Sequence, residues 1–342
     1  MATRRGDTLL FAKPPSITAF GAVGGKKEGE GPLAAGFDLL FEDNTLQQDT
    51  WEKAESTLQR HCLELTLQKA QTTLDKVNLV LAGDLQNQCT ASNYTLRGLD
   101  VPFAGLYGAC STMAEAVALA ACLASAGLVD RAAAMTSSHF CAAERQFRTP
   151  LEYGGKRTPT AQWTATAAGC CLVQPAGNGP FVRAVTFGRV RDYEVTDINN
   201  MGAAMAPAAA NTILQYLRDT GSRAEDFDAV YTGDLGLVGS QLLKELLEAE
   251  GVSLDNHADC GLLLFDQAAQ QVQAGGSGAG CSASVLCAHV LPRLRAGELE
   301  RVLFLSTGAL MSQTTFLQGE SIPGIAHLLE LCATKPEGEA AG

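Results

Sequence analysis

Asn78-Leu79-Val80-Leu81-Ala82-Gly83-Asp84-Leu85 is an apolar run closed by a turn. A short run of this kind reads as a strand buried on both faces. Further along stands Asp228-Ala229-Val230-Tyr231-Thr232-Gly233-Asp234-Leu235, with Gly-Asp-Leu repeated at an offset of 234 − 84 = 150. A second matched pair, the strands that begin at Arg131 and Arg301, is offset by 301 − 131 = 170. Two matched blocks in one order predict a duplicated α/β fold with an insertion in the second half. We divide the chain into residues 1–175 and 176–342 on that basis. Chance matching of two strand–turn segments is the alternative, and the shared order of elements favours duplication.

The neighbouring elements extend the pattern. A helix is expected from Asp49, with Glu52 three residues on completing a capping box, through Leu58, Cys62, Leu65 and Leu67 to about Ala70. After the first repeat, a strand over residues 102–106 turns through Gly108-Ala109-Cys110 into an alanine-rich helix over residues 111–127. The next strand, residues 132–136, ends at Ser137-Ser138-His139. In the second half a helix over residues 207–217 precedes the repeated strand. A glycine-rich turn over residues 275–280 then opens a helix carrying Cys281 and Cys287, and a strand follows over residues 301–306. Residues 1–48 hold turn signals, Pro14-Pro15 and Gly24-Gly25, and an acidic, glycine-containing loop from Gly29 to Pro32. Strand and helix in alternation indicate helices covering a sheet.

Composition narrows the function. The 342 residues carry a net charge of −12, which repels phosphate backbones and argues against general nucleic-acid binding. The most apolar stretch, residues 116–129, falls short of the roughly 20 residues a membrane span needs. Residues 9–12 are too short for a signal-peptide core, so a soluble chain with at most peripheral membrane contact is expected. None of the 11 cysteines has C-x-x-C spacing and the five histidines are scattered, which predicts reduced thiols and no metal site.

Cys110 stands apart from the other cysteines. It lies where a strand turns into a long helix, and free N–H groups and the helix dipole there favour a thiolate and could receive an oxyanion. A packed core cysteine is the competing reading. The turn Gly275-Gly276-Ser277-Gly278 occupies the equivalent place in the second half and allows backbone to approach a ligand closely.

These motifs in this order resemble the thiolase superfamily, which includes the ketoacyl-acyl-carrier-protein synthases. Gly108-Ala109-Cys110-Ser111 is similar to its nucleophile motif, Met205-Ala206-Pro207-Ala208 to the segment before its second-half helix, and Ala274-Gly275-Gly276-Ser277-Gly278 to its late glycine loop. The resemblance implies a duplicated thiolase-like fold, a five-layer α-β-α-β-α sandwich, in a homodimer. It also implies what is missing. A condensing enzyme of this superfamily uses, beside the cysteine, a His or Asn from each of two second-half loops to polarise the substrate carbonyl. Here the first loop reads Gly233-Asp234-Leu235-Gly236, and the second, residues 275–282, has no His. His257 reads as an exposed loop residue, His289 as helical and His327 as part of a tail. Thr112 and Met113 stand where the enzymes place glycine and are expected to shorten an acyl path. The expectation is a fold retained without catalysis. The alternative is an acyl-transferring condensing enzyme with Cys110 as nucleophile.

Glu144-Arg145-Gln146-Phe147-Arg148 and Glu152-Tyr153-Gly154-Gly155 are not general thiolase patterns. With Leu81-Ala82-Gly83-Asp84-Leu85 and Thr136-Ser137-Ser138-His139 they resemble the stage V sporulation protein AD family. That resemblance implies binding of pyridine-2,6-dicarboxylic (dipicolinic) acid, free or as its Ca2+ chelate. It further implies uptake into the developing spore with membrane proteins of the same transport system, at the inner spore membrane, without a cofactor. A flat ring bearing two carboxylates calls for a helix N-terminus or Arg donors and a narrow slot. The candidates are Cys110, Ser111 and Thr112 at the helix start, His139, Arg145 and Arg148 as donors, and Ser277 and Gly278 from the late turn. Asp84 and Asp234 at equivalent strand ends complete the set and could hold calcium. Ion pairs with Glu144 or Glu152 are the competing reading for the two arginines, and turn carboxylates for the two aspartates.

Overall fold

A computed structural model of the chain describes residues 2–146 and 156–335. The main path of the large sheet takes five strands from the first half: β1 (Ser16–Gly24), β2 (Leu79–Gly83), β3 (Phe103–Gly105), β4 (Ala132–Ser138) and β5 (Ala167–Gln174). Five come from the second: β6 (Phe181–Thr186), β7 (Ala229–Thr232), β8 (His257–Asp259), β9 (Arg301–Ala309) and β10 (Gly324–Cys332). The spatial order is β3-β2-β4-β5-β1, then β6-β10-β9-β7-β8. Read from its far edge, the second block is the first with every number raised by five. Directions repeat as well: β2 runs parallel to β3 and β4, as β7 does to β8 and β9, and the remaining pairs within each block are antiparallel. A single pair, Phe181 opposite Ser16, joins the blocks.

Helices follow the same duplication. α1 (Trp51–Lys69), α2 (Thr90–Leu96) and α3 (Thr112–Ser125) belong to the first half, α4 (Met201–Thr220), α5 (Gly236–Ala249) and α6 (Ala279–Val285) to the second. A wider turn at Leu286–Val290 carries α6 on into Leu291–Ala296. Three apolar clusters define five layers. Leu58, Cys62 and Leu63 of α1 pack against Val80, Met135 and Leu172 of the first block. Ile213 and Tyr216 of α4 pack against Val230, Leu303 and Leu328 of the second. Between the sheets lie α3 and α6, whose Ala116, Ala120, Ala121 and Ala283 are buried. Small side chains there allow a helix layer to fit between two sheets at close-packed density.

Several boundaries differ from the sequence reading. The N-cap of α1 is Thr50, whose Oγ1 accepts from the Lys53 N–H at 3.3 Å, while Asp49 stays exposed. α4 begins at Met201, six residues ahead of Pro207, which sits inside the helix and is buried. Residues 1–48 are not only loops: β1 is a central strand covered on both faces, and its small residues lack the alternation that marks a half-buried strand. His327 lies in β10, in the middle of the second block rather than in a tail. A hairpin of Ala2–Arg5 and Thr8–Phe11 crosses to the second block, with Thr8 opposite Thr186 and Leu10 opposite Ala184. Among the described residues no helix is long and apolar enough to cross a membrane.

Candidate functional site

Cys110 occupies a tight turn, Ala109–Ser111, between β3 and α3. Ala109 is held at φ 53°, in the left-handed region that costs a residue with a Cβ free energy. The Ser111 hydroxyl donates to the Gly108 carbonyl at 2.6 Å, and the Thr112 hydroxyl donates to the Ala109 carbonyl at 2.7 Å. These two candidate donors therefore staple the turn. β9 passes directly behind it: a Cβ on Gly308 would stand 2.6 Å from the Gly108 carbonyl oxygen.

Asp234 comes from the end of β7 to meet Cys110. It is fully buried, and its carboxylate accepts from Ser277 Oγ at 2.9 Å, Gly278 N at 2.9 Å and Thr307 Oγ1 at 2.9 Å. Gly278 has φ +105°, a conformation that suits glycine, and this aims its N–H at the carboxylate. Burial raises the Asp234 pKa against these hydrogen bonds and a further one from the Cys110 thiol. Burial, and after it the Asp234 charge, push the Cys110 thiol well above its ordinary value. Desolvation and a neighbouring carboxylate thus work against the thiolate that a helix start favours.

Cys110 opens onto a cavity of about 560 Å³. Tyr107, Ala109 and Cys110 form one wall, Met201 and Met205 of α4 a second, and residues 309–315 a third, with Ser277 and Gln146 also lining it. Among the described residues every lining side chain is uncharged. Thr112 and Met113 do not line it, and Met113 is instead packed in the central core. Length is limited by the Met201 and Met205 wall and by the 309–315 segment. Neither wall was a candidate from sequence. The usable signal was that residues 310–315 follow the carboxyl end of β9, where α/β folds place their sites.

The other candidates lie elsewhere. Asp84 is fully buried at the end of β2 and accepts from Gln86 N, Ser92 N and Ser92 Oγ at 2.9, 2.9 and 2.7 Å, tying down its own loop. His139 is also buried: Nδ1 accepts from Cys141 N, Nε2 meets the Asn44 carbonyl at 2.7 Å, and the ring stacks on Trp51. Arg145 pairs with Glu52, while Glu144 is taken by Arg157 at 2.6 Å. Arg148 and the motif Glu152 to Gly155 lie outside the described residues. The four remaining histidines are placed away from the thiol. His61 pairs with Glu64 on α1. His257 is half-buried on β8, with Nε2 at 2.8 Å from Thr232 Oγ1, and is not in an exposed loop. His289 packs beside Tyr231 and Arg293, and His327 Nδ1 accepts from Gly188 N. Among the described residues no group of three or more His, Cys, Asp or Glu could hold a metal.

The sequence profile of the family described as stage V sporulation protein AD matches residues 5–332. The chain is 44% identical to the stage V sporulation protein AD of Bacillus subtilis (strain 168) over 322 residues, 94% of this chain and 95% of that one. Among solved structures it is similar to cerulenin-bound OleA of Xanthomonas campestris, with TM-score 0.59 and 15% identity over 96% of this chain and 99% of that one. It is also similar to 3-oxoacyl-[acyl-carrier-protein] synthase III of Aquifex aeolicus VF5, with TM-score 0.55 and 11% identity over 92% and 99%. At such identities these likenesses concern the fold, which is thiolase-like.

Proposed function

The chain belongs to the stage V sporulation protein AD family, and from that premise we propose that it binds dipicolinic acid without catalysis and assists its uptake, with Ca2+, into the developing spore. The observation that carries this reading is the uncharged cavity at Cys110, backed by a thiol that burial and Asp234 keep protonated. A condensing enzyme needs a nucleophile and an acid–base partner of matched pKa. Here the thiol and its neighbour Asp234 are both shifted upward, and the histidines are engaged with other groups. What remains suits binding and release.

Charge sets the preferred form of the ligand. Free dipicolinate is a dianion, and moving it into a neutral cavity costs its hydration. The one-to-one calcium chelate carries no net charge, and the Asn, Gln, Ser and Thr groups of the lining can hydrogen-bond its carboxylates. The site does not need to hold the metal itself. Assembly into a homodimer and contact with membrane proteins of the same transport system belong to this proposal.

Calorimetric titration with dipicolinate, with and without calcium, tests it. Calcium should tighten binding about ten-fold or more, equivalent to roughly 1.4 kcal/mol. Cys110→Phe should weaken binding at least ten-fold by crowding the Cys110 wall of the cavity. Thr314→Trp, at the exposed mouth, should weaken binding at least ten-fold and leaves the interior untouched. Undiminished binding by folded Thr314→Trp and Cys110→Phe would remove the ligand from this cavity. Incubation with acyl-CoA should leave the mass at Cys110 unchanged; acylation followed by carbon–carbon bond formation would replace this reading with the enzymatic one.

A further inference from the structure

Another cavity, of about 590 Å³, lies in the second half between α5, the edge strand β8 and the short helix Cys260–Leu264 that follows it. Leu237, Leu262 and Leu263 give it apolar walls, and Leu237 is 60% exposed. Its polar groups are few. Ser240 lines it while only 7% exposed, and its hydroxyl has no hydrogen-bond partner among the described residues. A buried hydroxyl left in that state costs free energy that a bound molecule can recover.

The chemistry of His257 follows from its partners. Asp259 accepts the Thr232 hydroxyl hydrogen at 2.6 Å, together with the backbone N–H groups of Leu235, Gly236 and Gly261. Thr232 Oγ1 then has only lone pairs to offer His257 Nε2, 2.8 Å away, so Nε2 carries the ring proton and donates it. Burial, and after it the Lys244 ammonium, lower the His257 pKa to about 4, and the ring is neutral. Nδ1 is therefore an acceptor, and it has no partner among the described residues. Lys244 stands beside it as a donor that no carboxylate pairs with among the described residues. Glu245, Glu248 and Asp259 also line the cavity and outnumber that one cation, which disfavours an anion.

We propose that this cavity binds a small uncharged molecule made of an apolar body and an amide head. The amide N–H donates to His257 Nδ1, its carbonyl accepts from Lys244 Nζ, and the body lies on the three leucines. This inference does not rest on the reading of the Cys110 cavity.

Benzamide, acetophenone and benzoate, titrated separately into the full chain by ligand-observed saturation-transfer NMR, test it. Benzamide should bind saturably, with a dissociation constant of about 1 mM, as befits so small a molecule. Acetophenone keeps the shape and the carbonyl but lacks the donor, and benzoate replaces the donor with a charge. Each should bind at least five-fold more weakly. Leu237→Trp, an exposed substitution, should weaken benzamide at least five-fold by narrowing the mouth. His257→Phe keeps a ring without an acceptor and should erase the preference for benzamide over acetophenone. No saturable binding of benzamide, or undiminished binding by Leu237→Trp, overturns the site. A missing preference in the unsubstituted chain, or one that survives His257→Phe, overturns the pairing of the amide with His257. Tighter binding of benzoate than of benzamide overturns the choice of an uncharged ligand.

Discussion

Asp84 and Asp234 end equivalent strands in the same Gly-Asp-Leu sequence, yet they hold different things. Asp84 bonds residues two and eight positions ahead of it and fastens its own loop. Asp234 bonds Ser277, Gly278 and Thr307, which lie 43, 44 and 73 positions away, and turns toward Cys110. The loop after Asp234 is fastened by another residue: Asp259, from the adjoining strand, accepts from Leu235 N at 2.8 Å and Gly236 N at 3.0 Å. The second half has handed the loop-holding task to a neighbour and released its strand-end aspartate for the site. A shared tripeptide fixes where a carboxylate starts, and the surrounding strands decide where it points.

The largest expected effect separates these two roles. Asp234→Ala leaves a buried N–H and two hydroxyls without their acceptor, and should cost about 4 kcal/mol in denaturant unfolding, at about 1–3 kcal/mol per orphaned group with some relaxation. Asp84→Ala also orphans three donors, but it relieves repulsion of the buried Glu55, so about 2 kcal/mol is expected. The reverse order would show that Asp84 carries the tertiary structure and break the comparison.

Titration sharpens the contrast. Burial, and secondly the charge of Asp84, raise Glu55 to about 8. Burial raises Asp259 to about 6. A carboxyl with a raised folded-state pKa contributes its stability below the unfolded value, and that contribution is lost as pH rises through the folded value. The first corner should therefore weaken as pH climbs from about 4.5 toward 8, and the second between about 3.8 and 6. Glu55→Gln should flatten the upper window and gain on the order of 2 kcal/mol at pH 8 relative to pH 5, read from unfolding curves across pH. Asp259→Asn should flatten only the lower one. The smallest effect belongs to the surface: Arg145→Gln, which breaks the pair with Glu52, should cost under about 1 kcal/mol and leave dipicolinate affinity within two-fold.

Local signals made some of this architecture legible and hid the rest. The repeated Gly-Asp-Leu and the strand-to-helix turn at Cys110 mark the parallel strands, whose apolar runs end in sharp turns. The antiparallel strands β1, β5, β6 and β10 are also bounded by Gly and Pro, as at Pro14-Pro15, Gly24-Gly25 and residues 175–180, but no repeated motif links one half to the other there. Residues of β5 such as Ala167, Ala168 and Gly169 are small and buried on both faces, so neither alternation nor helical spacing singles them out. In the site, Cys110 and Ser277 could be read because glycine-rich turns precede or surround them. The Met201 and Met205 wall could not, since only the packing of α4 brings it there. Arg145 and His139 looked available because sequence shows a donor and not its partner. Glu52 and the Asn44 carbonyl lie 93 and 95 positions away from them (145 − 52 and 139 − 44).

The hairpin over residues 2–11 has a consequence for how the two halves hold each other. Thr8 Oγ1 bonds Thr186 Oγ1 at 2.8 Å and Asp219 Oδ2 at 2.9 Å, and Asp219 also accepts from Asp7 N. The hairpin thus docks on residues 184–186 and on Asp219, more than 170 positions along the chain from its own strands. Contacts of so high a sequence separation are slow to close, because the loop-closure entropy is spent before the contact is gained. A strand from one half therefore ties down the other, and the second block is not finished by its own residues alone.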